Sequence, residues 1–99
     1  MKRDKLDAEF SLMIRKRDKW ICRRCGKNYS RRRQGYHAAH VFSRGIKRTR
    51  HDPDNALGLC YGCHSYFHRN PLEFHEWARK QLGPKKYDAL KIRASRIAK

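Results

Sequence analysis

His40, Asn55, His64 and His68 stand at intervals of fifteen, nine and four residues, framed by two CxxC pairs, Cys22/Cys25 and Cys60/Cys63. Two such thiolate pairs are suited to close around one tetrahedral ion. With the cysteines engaged there, the histidines are left for a second, reactive centre. A neutral imidazole can hold a divalent cation or take a proton from water, and a hydrolytic site needs both acts. On a strongly basic chain this pattern predicts an enzyme that cuts nucleic acid.

The CxxC pairs have 34 residues between them, a separation that fits a closed four-cysteine site whose role is to hold the fold. Zinc is the expected ion, although an all-thiolate site would also accept iron. A redox dithiol is the competing reading; two CxxC copies and no βαβ pattern weigh against it. Gly26, directly after Cys25, permits the tight turn of a metal knuckle.

At the second centre, a strand carrying His40 would face a helix carrying His64 and His68 one turn apart. His64 and His68 are the expected ligands of a divalent ion, and His40 the general base. The Asn55 amide can bridge backbone groups and hold the intervening loop. The ion would polarise a phosphate and stabilise the departing oxygen. Arg44 can offer its planar fork to the scissile phosphate or simply lie exposed. Arg31, Arg32 and Arg33, with Lys47, Arg48 and Arg50, are expected to touch backbone phosphates without reading bases, though each alone also reads as a solvated charge. His51 and His75 read as surface residues. Trp20, Phe42, Phe74 and Trp77 read as core.

These side chains need elements to carry them. The spacing predicts a helix over 4–18 with Leu6, Phe10, Met13 and Ile14 on one stripe. Tyr36 to Phe42 reads as a strand, 43–55 as a loop and Ala56 to Leu59 as a second strand. A helix over Tyr61 to Arg69 would put His64 and His68 on one face. Asn70-Pro71-Leu72-Glu73 has the composition of a new helix start, with Leu72, Phe74, Trp77 and Leu82 on that helix and Gly83 ending it. Pro84 opens a last helix with Tyr87, Leu90, Ala94 and Ile97 inward. The expectation is one α+β domain over 1–99: an N-terminal helix (1–21), a zinc-stabilised core (22–69) and C-terminal helices (70–99).

Ninety-nine residues of which 38% are hydrophobic leave little apolar core, and a structural metal is a common remedy. Twenty-six Lys and Arg against nine Asp and Glu give +17, or roughly +15 once four thiolates hold a zinc. Such a charge favours polyanions, with binding that falls steeply as salt rises. It is concentrated in two arms: Arg15–Arg33 holds ten basic residues and Arg79–Lys99 eight, whereas His51–Ala78 holds one. Basic arms around a poorly basic centre suit a cleft that grips phosphates. No signal-like stretch and no window near ~20 apolar residues is found, so a non-secreted, intracellular chain with no membrane partner and reduced cysteines is expected.

His40, Asn55 and His64 between CxxC pairs resemble the His-Asn-His signature of HNH endonucleases. Their spacing, with His68, is similar to that of the bacterial colicin-type nucleases. AAHVFSRG, DPDNALGLCYGCH and NPLEFHEWARKQLG more closely resemble small phage HNH proteins of the NinG-like recombination group, over about residues 6 to 90. The resemblance implies a ββα-metal (His-Me finger) core and cleavage of DNA phosphodiesters to 5′-phosphate and 3′-hydroxyl ends. It implies His40 as base, Asn55 orienting the loop, and His64 with His68 on one catalytic Mg, Mn, Ni or Zn beside the structural zinc. It also implies a phage-encoded protein in an infected bacterial cytoplasm, working with recombination proteins or a terminase. Many family members carry a ligand immediately before the base; here that residue is Ala39. His37 shares the strand face of position 39, about 6.6 Å further back, and is a possible substitute ligand or a packing or phosphate contact. The rival reading is a non-catalytic zinc-binding DNA module with a decayed HNH site, which Ala39 favours. DNA structure and sequence preference, RNA as a substrate, nicking against double-strand cleavage, and oligomeric state are left open by the residues.

Overall fold

The computed structural model describes residues 4–95. Its first helix, α1 (Lys5–Arg17), starts in a reciprocal cap. The Asp7 backbone N–H donates to the Asp4 carboxylate at 2.8 Å, and the Asp4 N–H donates to the Asp7 carboxylate at 3.1 Å. Two donors that a helix end leaves orphaned are thereby satisfied. The buried stripe of α1 is Asp7, Phe10 and Ile14. Leu6 and Met13, expected inward, are 61% and 43% exposed. Both stripes have helical spacing; the choice is made by the surface on which α1 lies, where Phe10 and Ile14 pack with Ala56 and Ala38.

The chain leaves α1 through Lys19 and Trp20, both at positive φ, and enters the first cysteine knuckle. There the Cys22 N–H donates to the Lys27 carbonyl and the Gly26 N–H to the Cys22 carbonyl. Gly26, at φ +79°, adopts the left-handed conformation this turn requires.

Strand β1 (Tyr36–His40) pairs antiparallel with β2 (Ala56–Cys60), Tyr36 opposite Cys60 and His40 opposite Ala56. Gly58 of β2 is needed for close approach, because a Cβ there would lie 1.9 Å from the Tyr36 hydroxyl oxygen. That hydroxyl donates to the Ile21 carbonyl, and the Gly58 N–H donates to the buried Asp18 carboxylate. The knuckle, the α1 terminus and the sheet are thus locked together.

Helix α2 (Tyr61–Arg69) follows β2 with no intervening residue, and α3 (Pro71–Leu82) and α4 (Pro84–Ser95) complete an α+β domain of four helices and one two-stranded sheet among the described residues. Asn70 does not cap α3 through its side chain: its amide donates back to the Tyr66 carbonyl of α2 at 2.8 Å. Leu72 of α3 is 83% exposed. Gly83, at φ +90°, ends α3 as expected. Tyr87 and Leu90 of α4 are buried, Ala94 is half-buried, and Ile97 lies outside the described residues. The core joins Ala39, Leu57 and Leu59 of the sheet to Phe67, Phe74, Ala78, Tyr87 and Leu90 of the last three helices. Among the described residues no helix is long and apolar enough to cross a membrane.

Candidate metal centres and catalytic cleft

The sulfurs of Cys22, Cys25, Cys60 and Cys63 all lie within 4.8 Å of one another. Zn–S bonds of about 2.3 Å place tetrahedral sulfurs about 3.8 Å apart, and the Cys25 and Cys60 sulfurs are 3.8 Å apart. The Cys25 N–H points to the Cys22 sulfur at 3.5 Å, and the Cys63 N–H to the Cys60 sulfur at 3.4 Å. Burial raises the Cys22 thiol, but N–H donors that include Cys25 and Arg24 more than offset it and bring the group down to about 7. Burial drives the Cys63 thiol up to about 12, despite the Arg24 guanidinium 3.6 Å from its sulfur. Four crowded thiols cannot all ionise unaided, and a divalent cation removes the conflict. The cluster can hold a zinc.

The histidines meet elsewhere. His37, His40, His64, His68 and Arg44 line one cleft of about 960 Å³ between β1, α1, α2 and α3. His40, at the end of β1, has its Nε2 2.8 Å from the Arg50 carbonyl oxygen. A carbonyl only accepts, so Nε2 carries the proton and Nδ1 keeps a free lone pair. Burial pushes the His40 pKa below its ordinary value, with the Arg50 carbonyl pulling in the opposite direction.

His37 and His64 meet across the cleft, with their Nδ1 atoms 2.9 Å apart. Burial, followed by the neighbouring imidazoles of His37, His68 and His40, pushes His64 down to about 4. It is neutral at pH 7, the form that can coordinate a cation. Two nitrogens each about 2.0–2.1 Å from one ion would lie about 2.9 Å apart at a right-angle geometry. The donor pair therefore fits a cation. His68, one turn along α2, is exposed, and no third His, Cys, Asp or Glu joins the pair within 4.8 Å among the described residues. Ala39 is fully buried in the core, and its methyl offers no donor to an ion.

Asn55 is fully buried and its side chain makes three hydrogen bonds. Its oxygen accepts from the Phe42 N–H at 2.8 Å, and its amide donates to the carbonyls of Phe42 at 3.0 Å and Thr49 at 2.8 Å. It ties the residues just beyond β1 to the loop that supplies the Arg50 carbonyl.

No family model, curated protein or solved structure matches the chain.

Arg44 sits half-exposed in the cleft, with Nη2 3.4 Å from Asp7 and a buried Nε without a hydrogen-bond partner among the described residues. Arg33 also lines the cleft, with its guanidinium 4.3 Å from the centre of the Trp20 ring. Arg31, Arg32, Lys47 and Arg48 are exposed. Arg50 is not a free phosphate arm, because its guanidinium grips the Asp7 carboxylate.

Two further residues depart from expectation. His75 is half-buried rather than superficial: it lines the cleft, packs 5.0 Å from the Phe42 ring, and has Nδ1 3.0 Å from the Tyr87 hydroxyl. Asp7 escaped the sequence reading altogether. It meets Arg50, Arg44 and His51, whose Nε2 is 2.7 Å away. Asp4, Asp7 and His51 lie close enough to hold an ion, but Arg50 already supplies the positive charge there. The available signal was an acid at i in line with Phe10 and Ile14 at i+3 and i+7, the position of a buried charge needing a distant partner.

Proposed function

We propose that the chain is a metal-dependent DNA endonuclease of the HNH type, with β1, β2 and α2 as its ββα-metal core. The observation that carries the reading is the convergence of His40 with the His37–His64 pair in one cleft, beside a loop that Asn55 clamps from inside. His40 takes a proton from water at Nδ1, and that water attacks the phosphorus opposite the leaving 3′-oxygen. Arg44, half-exposed on the cleft wall, binds the phosphate through its guanidinium. His64 holds the divalent cation, with His37 beside it and His68 at the rim of the cleft. When bound, the cation stabilises the charge that develops on the phosphate and the departing oxygen. The exposed arginines and lysines of the two basic arms hold the flanking backbone phosphates.

Ala39 favours a second reading, a zinc-stabilised DNA-binding module without catalysis, because its buried methyl supplies no ligand. Cleavage of supercoiled plasmid separates the two. Wild type and His40→Ala are compared in EDTA and after addition of Mg, Mn, Ni or Zn. Metal-restored nicking that vanishes in the variant is expected. Tight, salt-sensitive DNA binding without cleavage in any metal would establish the binding module.

A further inference from the structure

We propose that Asp7 is a positioning residue for His40 and acts through Arg50; the proposal rests on the reading of His40 as the base. The Arg50 carbonyl, 2.8 Å from His40 Nε2, selects the imidazole form whose Nδ1 can accept a proton. In the opposite tautomer that carbonyl would lose its donor and Nδ1 would lose its lone pair. The position of one backbone carbonyl therefore decides whether His40 can work as a base.

Arg50 lies in a segment with no helix or strand to fix it. Its side chain supplies the anchor. Nε donates to one Asp7 carboxylate oxygen at 2.8 Å and Nη2 to the other, the two-pronged geometry in which arginine and carboxylate bind most strongly. His51 adds a contact to the same carboxylate at 2.7 Å. Asp7 is itself held, because it is 6% exposed on a regular helix and accepts from the Asp4 N–H. Asn55 grips the Thr49 carbonyl on the other side. The peptide carbonyl that receives His40 is clamped at both neighbours, by Asn55 within the loop and by Asp7 from α1.

A buried ion pair of this kind is not what the packing alone calls for. An apolar residue would continue the Phe10–Ile14 stripe, and well-packed apolar replacements of buried pairs are often neutral or stabilising. What an apolar residue could not do is hold a guanidinium, and through it a carbonyl, in one place.

The test compares wild type with Asp7→Asn and Arg50→Ala. Long-range proton–nitrogen NMR spectra of the zinc-loaded protein report which His40 nitrogen carries the proton, and plasmid nicking gives kcat and KM. The Nε2–H form is expected to dominate in wild type and to give way to a mixture in both variants. Expected with it is a fall in kcat of about 10–100-fold, the usual cost of losing an outer-shell partner, with KM unchanged. Circular dichroism and zinc content check folding. If Asp7→Asn fails to fold, Arg50→Ala decides, since it keeps the Asp4–Asp7 cap. A pure Nε2–H form in a folded variant, or unchanged kcat after a tautomer shift, would overturn the proposal. If wild type cleaves no DNA, the nuclease reading falls, while the tautomer readout still decides whether Asp7 controls His40.

Discussion

His37 Nδ1 and His64 Nδ1 lie 2.9 Å apart across the gap between β1 and α2. Two neutral imidazoles can approach this closely only if one donates a proton or both give lone pairs to a cation. His37 shares a strand face with Ala39, two residues on, so a ligand at 37 reaches α2 from the same side of β1.

Metal binding distinguishes the two arrangements. On zinc-loaded protein, isothermal titration with Ni should show His37→Ala weakening the second site by about tenfold or more, and His68→Ala weakening it less. Unchanged affinity in His37→Ala would make the 2.9 Å contact a hydrogen bond and return the second ligand role to His68.

Asn55→Ala leaves the Phe42 N–H and the Phe42 and Thr49 carbonyls without their partner in a buried place. The expected loss of stability is about 3 kcal/mol, since each orphaned buried group costs about 1–3 kcal/mol. Urea unfolding would measure it. A loss below about 1 kcal/mol would mean that water replaces the amide and that the loop does not depend on Asn55.

A base must be unprotonated to act, and burial lowers the His40 pKa. The sign follows directly: cleavage is full above the folded pKa and is lost as pH falls through it. The acid limb of kcat/KM should therefore lie below the ordinary histidine value of about 6.5. A limb above 6.5 in the pH–rate profile would remove the buried His40 from the role.

Cys60→Ser should lose the zinc and unfold the domain, because Cys60 joins the end of β2 to the start of α2. Zinc content with far-UV circular dichroism checks both effects together. A folded, zinc-free variant would show that the cysteine cluster does not hold the fold.

Local chemistry made much of the architecture legible. Alternation from Tyr36 and the CxxC spacing located β1 and both knuckles, and the i, i+4 spacing of His64 and His68 located α2. Asn55 was legible as a loop clamp because its short amide has few other uses in such a place. The stripe of α1 was misread, since Leu6 and Met13 share helical spacing with residues that do face inward. Asn70 does stand at the N-cap of α3, but its side-chain amide donates to the Tyr66 carbonyl one turn back in α2 instead of serving the new helix.

The sequence by itself determined the elements, the thiolate cluster and the set of histidines available for chemistry, because those follow from spacing within a turn, a strand or a knuckle. Tertiary structure decided which histidines meet and what holds them. The His37–His64 contact spans 27 residues and the Asp7–Arg50 contact 43. Such contacts leave no local period in the chain: they exist only once β1, α1 and α2 have packed around the same cleft.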